Sequence, residues 1–343
     1  MNHWYLTAPR TVERREEAVR EPAPDEVLVR IAHTAISPGS NVHVYRSGSY
    51  SGTGSAIPEE LLYMGSGVVE AVGADVSTVR PGARVALTTG HQEFAVVPAA
   101  SVHHVPEALH LRTAAVAYLS SWSVSALHLG AYRAAETVVV VGQGLVGSSA
   151  ALVADLMGAR VLALDVDPNR ASLSRGRGLA AVEQPGTPGA DEQIAAFLGA
   201  NGPDLILETT GSWHGLRQAI ALARDWTRIA IMGIYRTPPP ADLGLELFGL
   251  LNGYPSKFHY QRLQFIGVGS DPDLVAAPAP HMATRSSNFA YILEQAGRGR
   301  LALDRLITHV LAPDEIGSAL ERLSNGDTSM VGVAFDWPSG EHG

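Results

Sequence analysis

Glycine residues recur at positions 142, 144 and 147 of the segment VVVVGQGLVG, in a 343-residue chain. An apolar run that predicts a buried strand precedes them, and a run that predicts a helix follows. In this context Gly142 permits a tight turn, Gly144 lets the backbone approach a diphosphate, and Gly147 lets the helix pack on the strand. The amides at the helix start, at Leu145 and Val146, would point at the phosphates. The spacing therefore predicts a dinucleotide-binding site.

An acidic residue, Asp165, ends the next predicted strand. A carboxylate there accepts hydrogen bonds from ribose hydroxyls and would repel a 2′-phosphate, so NAD(H) is favoured over NADP(H). Arg170, if it lies near the adenosine, would reduce that preference. Thr210 and Gly233, near the ends of two later strands, complete the expected set of cofactor contacts.

A second polar segment, AISPGSNVHVY over residues 35–45, follows an apolar strand and predicts a polar active-site loop. It offers two hydroxyls, an amide and an imidazole, from Ser37, Ser40, Asn41 and His43. Groups of this kind donate hydrogen bonds to a developing oxyanion or move a proton. The loop contains no Cys, and neither does the rest of the chain.

Composition excludes several classes of protein. The apolar content is 46% and the charged content 17%, as in globular proteins, and the net charge is −9 with no basic block, which argues against nucleic acid as a partner. Without Cys there is no disulfide, thiolate zinc site or Cys nucleophile. No apolar run approaches roughly 18 residues, and the N-terminus lacks a secretion signal, so we expect a cytoplasmic protein without membrane contact.

Two kinds of element must position these residues. The first third contains short β-branched runs at 26–36, 65–73 and 83–87, bounded by Gly and Pro, which indicate a β-rich domain. From residue 137 onward continuous apolar strands alternate with helices, which indicates a buried parallel sheet and an α/β fold.

The order of several motifs resembles the medium-chain dehydrogenase/reductase superfamily: GSGVVEAVGADVSTVRPGARVAL, EFAVVPAASVHHVPEAL, VVVVGQGLVG, ILETTGS and GRLALDRLITHVLAPDEIGSALERL. The resemblance implies a Rossmann-type doubly wound parallel sheet at residues 116–280. It implies a β-rich GroES-like catalytic domain at 1–115 and 281–343, with the active site in the cleft between the domains. It also implies a homodimer or homotetramer that pairs through the last strand of the nucleotide domain, LQFIGVG.

The chain departs from the zinc-containing members of this superfamily at each ligand position. Ser37 stands where the first Cys ligand would be, Tyr63-Met64 near the usual His-Glu pair, and Ser121 near the third ligand. The four-Cys structural lobe is absent as well. These types do not make a zinc ligand set, so the resemblance implies a zinc-independent member. ISPG also resembles the first loop of zinc-free members, including the bacteriochlorophyllide-type alcohol dehydrogenases.

Without zinc, hydrogen-bond donors must stabilise the alkoxide. Losing one good oxyanion donor costs an enzyme roughly 2.7–4 kcal/mol, so two donors are an adequate replacement. The expected catalytic residues are Tyr63, His43, Ser37 and Ser40. In the family's pattern His43 falls near a proton-relay histidine, and Tyr63 takes the position of the lost His as an acid or an orienting donor.

Three functions remain open from the sequence. The first is an NAD(H)-dependent oxidoreductase that acts on a secondary alcohol or ketone of a small metabolite. The second is an NAD(P)H-dependent reductase of C=C bonds in enoyl, enone or quinone substrates, since conjugate hydride addition needs less Lewis-acid assistance. The third is a nucleotide-binding protein that has lost its catalytic activity.

Overall fold

The computed structural model of the protein describes residues 1–49, 57–61, 64–179, 182–269 and 284–338. The chain divides into two compact units. Unit 1 comprises Met1–Leu119 and Phe289–Gly343, and unit 2 comprises Ser120–Asn288.

The first segment of unit 1 consists mainly of short strands. Its elements are β1 (Asn2–Ala8), β2 (Thr11–Glu16), β3 (Glu26–Ile36), α1 (Pro38–Ser47), β4 (Glu59–Glu60), β5 (Met64–Val72), β6 (Arg84–Leu87), β7 (Phe94–Pro98), β8 (His103–His104) and α2 (Leu111–Val116). The strand predicted over 26–36 is β3, with the same bounds. The first two strands pair as an antiparallel hairpin that the sequence did not predict.

Unit 2 is built from strands that alternate with helices. Its elements are α3 (Tyr118–Leu129), β9 (Thr137–Val141), α4 (Leu145–Leu156), β10 (Arg160–Leu164), α5 (Pro168–Gly176), β11 (Val182–Glu183), α6 (Ala190–Leu198), β12 (Leu205–Glu208), α7 (Trp213–Leu222), β13 (Arg228–Ile231), α8 (Ala241–Asn252) and β14 (Gln264–Gly267). The strands form a parallel sheet in the order β11-β10-β9-β12-β13-β14, the 3-2-1-4-5-6 order of a doubly wound dinucleotide fold. This confirms the predicted fold class of the second half of the chain.

The chain ends with α9 (Arg285–Gly297), β15 (Ile307–Leu311), α10 (Ile316–Ser324) and β16 (Gly332–Asp336). Strand β16 returns to unit 1, where it pairs antiparallel with β3. The larger sheet of unit 1 has the order β15-β16-β3-β5-β6-β8, and β7 also pairs with β3. Its core contains Ile31, Leu87 and Phe335, each almost fully buried.

The segment after β3 is a helix, so the predicted polar loop at residues 37–45 is wrong. Helix α1 begins after Ser37, whose extended backbone is typical of an N-cap, and Pro38 takes the first helical position, where a missing N–H costs nothing. The Oδ1 atom of Asn41 accepts the backbone N–H of Ser37 at 2.7 Å. The helix ends at Gly48, whose φ of 86° is left-handed.

Within the described ranges, none of the helices combines the length and the apolar character that crossing a membrane requires.

Candidate cofactor and active site

The glycine-rich turn joins β9 to α4 in unit 2. Gly142 has a φ of 93°, in the left-handed region that favours glycine, and its N–H donates to the carbonyl of Leu164 at 2.8 Å. A β-carbon at this position would lie 2.6 Å from Cγ2 of Thr210. The turn is therefore confined between the ends of β10 and β12, and the structure brings Gly142 and Thr210 together.

The other two glycines differ in what surrounds them. A β-carbon on Gly147 would overlap the carbonyl oxygen of Gly142, so this position requires glycine for the protein's own packing. A β-carbon on Gly144 would meet no protein atom within 4 Å. Gly144 is also the N-cap of α4, where the N–H groups of the first turn, including Leu145 and Val146, have no intrahelical acceptor. The open space and the unpaired amides fit a bound diphosphate.

Asp165 follows β10 and is 7% exposed. Its Oδ2 accepts the backbone N–H of Gln143, inside the glycine-rich turn, at 2.6 Å. Its Oδ1 accepts the N–H of Asp167 at 2.8 Å. A carboxylate has about four acceptor positions, so two remain for ribose hydroxyls. The residue therefore fixes the turn and places a carboxylate beside it.

A buried polar network lies beneath the turn, and sequence reasoning missed it. The side chain of Gln143 is fully buried and donates to the carbonyl of Gly142 at 2.8 Å, while its Oε1 accepts from Ser174 at 3.2 Å. The hydroxyl of Ser148 donates to the carbonyl of Gln143 at 3.0 Å and accepts from Arg177 at 2.6 Å. Burial lowers the pKa of Arg177 to about 10. The network holds the turn from its protein side.

A second carboxylate, Glu208, ends β12 and is fully buried. It accepts the N–H of Thr210 at 2.8 Å, the hydroxyl of Thr210, and the hydroxyl of Tyr235 at 2.5 Å. Burial and this hydrogen bond raise the pKa of Tyr235. The carbonyl of Glu208 accepts the N–H of Gly233 at 3.1 Å. Thr210 and Gly233, both expected as cofactor contacts, are thus brought together around Glu208. The only signal in the sequence was an acidic residue that ends an apolar run.

Arg170 lies in the first turn of α5, whose N-cap is Asp167. Its backbone N–H donates to Oδ1 of Asp167 at 3.0 Å. Its Nε is buried and has no hydrogen-bond partner among the residues that the structure describes. A buried donor of this kind, a few residues after Asp165, is suited to an acceptor on a bound ligand.

The candidate catalytic residues of unit 1 lie at the start of α1 and along it. Ser37 is 4% exposed, and Ser40 and His43 are half-buried. Positions 40, 43 and 47 share one face of the helix. On that face the hydroxyl of Ser47 donates to the carbonyl of His43 at 2.8 Å and lies 3.5 Å from its Nε2. Tyr63, the fourth candidate, lies outside the described residues.

The positions that correspond to zinc ligands do not offer zinc donors. Ser37 and Ser121 are hydroxyls, Met64 is a fully buried thioether, and the carbonyl of Ser121 accepts the hydroxyl of Ser125 at 3.2 Å. Across the part of the chain that the structure describes, no three His, Asp or Glu side chains form a metal-ligating cluster. The residues present at these positions do not fit the metal.

Models of known protein families match part of each unit. The model of the alcohol dehydrogenase GroES-like domain matches residues 23–107, and that of zinc-binding dehydrogenases matches residues 146–266. L-Threonine 3-dehydrogenase of Anaeromyxobacter dehalogenans (strain 2CP-C) is 26% identical over 321 residues, 81% of this chain and 91% of that protein. The 2-dehydro-3-deoxy-L-galactonate 5-dehydrogenase of Pseudoalteromonas atlantica is 22% identical over 343 residues, 90% of this chain and 91% of that protein.

A similar fold occurs in the crystal structure of galactitol-1-phosphate dehydrogenase from Escherichia coli. The TM-score is 0.79 and the identity 18%, over 98% of this chain and 100% of that one. The fold and the matches define a dehydrogenase with a GroES-like domain and a dinucleotide domain. The chain belongs to the medium-chain dehydrogenase/reductase superfamily, as an alcohol-dehydrogenase-like oxidoreductase, which confirms the resemblance seen in the sequence.

Proposed function

We propose that the protein transfers hydride between NAD(H) and a secondary alcohol or ketone of a small metabolite, without zinc. The observation that carries the cofactor preference is Asp165, a buried carboxylate bonded to the glycine-rich turn. A 2′-phosphate at the ribose would approach this charge closely, whereas ribose hydroxyls would donate to it. The substrate class follows from the relatives, which are named as dehydrogenases of L-threonine and of a deoxy sugar acid.

The chain's own residues have separate tasks in this proposal. When bound, NAD(H) accepts or supplies the hydride. The first turn of α4 binds the diphosphate, and Asp165 and Thr210 orient the nucleotide. Ser37 and Ser40 donate hydrogen bonds to the oxygen of the substrate, where negative charge develops, in place of a metal. His43 takes the hydroxyl proton during oxidation and returns it during reduction.

The cofactor assignment is tested by a matched pair of glycine substitutions. Gly144→Ala places a methyl group in open space, so unfolding should change by no more than about 1 kcal/mol. If the space belongs to the diphosphate, the Kd for NADH should rise about 100-fold, equivalent to ~2.7 kcal/mol. Gly147→Ala should instead lower stability by about 1–3 kcal/mol, because its methyl group overlaps backbone. Unchanged NADH binding in Gly144→Ala would contradict the site.

The reaction is tested with purified protein and a panel of substrates, following the absorbance of the reduced nicotinamide. We expect turnover of NAD with secondary alcohols and of NADH with the matching ketones. Activity with enones or quinones alone would favour the C=C reductase instead. Tight NADH binding without turnover on any class would indicate a protein that has lost catalysis. Activity that survives a chelator, with no stoichiometric zinc by metal analysis, is expected; activity restored only by zinc would refute the zinc-free mechanism.

We also propose a homodimer that pairs through β14. This strand ends the sheet order among the described residues, and the N–H groups of Gln264 and Val268 donate toward the β13 side. By strand alternation the N–H of Gly267 points away from β13. Phe258, which is 46% exposed, lies against Phe265 of this strand, with ring centroids 5.7 Å apart. Gly267→Pro, which removes this donor, should be monomeric by light scattering, whereas Gly267→Ala should remain dimeric. A Gly267→Pro variant that is still dimeric would contradict the interface.

A further inference from the structure

Unit 1 contains a cavity that the proposed reaction does not use. It lies against the three-stranded sheet with the order β2-β1-β4. Trp4 and Leu6, which alternate along β1, belong to the hydrophobic core, and His3 and Tyr5 alternate with them and line the cavity. Its volume is about 460 Å³, within the size range of small-molecule sites. Glu17, Glu60 and Gly90 also line its wall.

His3 carries an unsatisfied hydrogen-bond acceptor in the wall of this cavity. The residue is 2% exposed, and its Nδ1 lies 3.4 Å from Oε2 of Glu17. A carboxylate only accepts, so Nδ1 carries the proton. Burial lowers the pKa of His3, and its ring is therefore neutral at pH 7 with a bare lone pair on Nε2. This Nε2 is buried and has no hydrogen-bond partner in the described part of the chain.

A second acceptor converges on the same point. The position that a β-carbon on Gly90 would occupy lies 3.0 Å from Nε2 of His3 and 3.6 Å from Oε2 of Glu60. Glu60 has no ion-pair partner among the residues described here. The guanidinium of Arg20, which also lines the wall, is engaged in two hydrogen bonds to Glu26, at 2.5 and 2.8 Å.

Two donors of the wall are engaged by Glu17 instead of by these acceptors. The hydroxyl of Tyr5 donates to Oε1 of Glu17 at 2.9 Å, and the amino group of Met1 donates to the carbonyl of Glu17 at 2.6 Å. Two acceptors, one of them charged, therefore face the cavity without a donor. Of the two, Nε2 of His3 is buried, so leaving it without a donor is unfavourable, and a ligand that supplies a donor removes that cost. The carboxylate of Glu60 is exposed and contributes its charge.

We propose that this cavity binds the ammonium group of a small organic amine, which donates to Nε2 of His3 and to the carboxylate of Glu60. An ammonium carries three donors and no acceptor, which matches a wall of acceptors. Its charge strengthens the hydrogen bond to the carboxylate. A divalent metal ion requires further ligands, and no group of three His, Asp or Glu assembles among the described residues.

The test uses the full chain with ¹⁵N-labelled histidine, titrated with 1,4-diaminobutane and separately with ZnCl₂. We expect a saturable change in the Nε2 shift of His3 with the diamine, and matching heat in calorimetry. Glu60→Gln removes the charge, and Gly90→Ala fills the space beside Nε2; each should weaken binding about 30-fold. Glu16→Gln, which removes an exposed carboxylate from β2, is the matched control and should bind like the wild type.

Three results would overturn the proposal. They are the absence of any saturable shift at His3, binding by Gly90→Ala and Glu60→Gln as tight as that of the wild type, and saturation by zinc but not by the diamine. The NMR spectra of the variants report whether each remains folded, and Glu60→Gln changes only a surface-accessible carboxylate. Neither variant touches the dinucleotide site of unit 2, so the outcome is independent of the proposed reaction.

Discussion

His91 should make unit 1 sensitive to mild acid. Its side chain is 1% exposed and lies edge-on to the ring of Phe335, with centroids 5.3 Å apart. Its Nδ1 lies 2.8 Å from Oγ1 of Thr34, which accepts the indole N–H of Trp337 at 2.9 Å. The hydroxyl can accept from Trp337 and donate its own proton to Nδ1, an arrangement that suits a neutral ring. Burial, and to a smaller extent the charge of His3, lower the pKa of His91 to about 3.

The sign of the effect follows from proton binding in the two states. Between the unfolded value of 6.5 and the folded value of about 3, the unfolded chain binds a proton that the folded protein excludes. Stability is therefore complete above about pH 6.5, falls as the pH decreases, and levels off below about pH 3. A pH of 4 is about 2.5 units below the pKa of this histidine in the unfolded chain. At ~1.36 kcal/mol per unit, the free energy of unfolding is therefore lower by about 3 kcal/mol at pH 4 than at pH 7. That is a large part of a typical folding free energy of roughly 5–15 kcal/mol.

The assay is urea unfolding at pH 7 and pH 4, followed through the indole N–H signals of Trp4 and Trp337, both buried in unit 1. In His91→Asn the amide oxygen can still accept from Thr34 but does not titrate. The decrease in the free energy of unfolding from pH 7 to pH 4 should therefore be smaller by about 3 kcal/mol in this variant than in the wild type. His104→Asn, which replaces an exposed histidine of the same unit, should keep the full loss. Equal losses in the wild type and His91→Asn would refute the argument.

The remaining predictions concern the proposed reaction. Asp165→Asn should weaken NADH more than NADPH, since it removes the charge that opposes a 2′-phosphate; fluorescence titration with both cofactors measures this. His43→Ala should lower the chemical rate by about 10²–10⁴-fold with little change in the Kd for NADH, and a near wild-type single-turnover rate would exclude its role in proton transfer. Glu208→Gln replaces one accepting oxygen by a donor, so Thr210 or Tyr235 loses a partner and unit 2 should lose about 1–3 kcal/mol in thermal unfolding. Tyr235→Phe should cost less, because it leaves no unpaired donor.

The doubly wound sheet could be predicted because its strands are buried on both faces. All five residues of β9 are buried, as are the last four of β10, so each appears in the sequence as a continuous apolar run. The glycine motif then predicted the position of the first turn, because the motif indicates a dinucleotide site only where a strand precedes it and a helix follows it. The requirement for glycine at 147 follows from the same packing.

The features that could not be predicted depend on partners that are distant in the chain. Strand β2, with the sequence TVERRE, is exposed along almost its whole length, so it carries no hydrophobic alternation. Helix α1 contains Gly, Ser, Asn and two Val, all weak helix formers, and its sequence resembles a loop. It is stabilised by burial of Val44 and Tyr45 and by contacts with α10, which lies almost 280 residues later. Gln143 occupies a variable position of the glycine motif, and only the fold shows that its side chain supports the turn.

Asp165 and Glu208 lie at the carboxyl ends of β10 and β12, the two strands that flank β9, and they have the same structural role. Each loop at the carboxyl end of the sheet has backbone N–H groups that no strand can pair, and a nearby acceptor must satisfy them. Asp165 accepts the N–H of Gln143, and Glu208 accepts that of Thr210. Both loops are therefore in place before a nucleotide binds, which reduces the ordering cost of binding. It also means that a substitution at Asp165 changes the turn and the ligand contact together. A β-carbon on Gly144 would meet no protein atom within 4 Å, so a substitution there tests ligand binding without disturbing the folded turn.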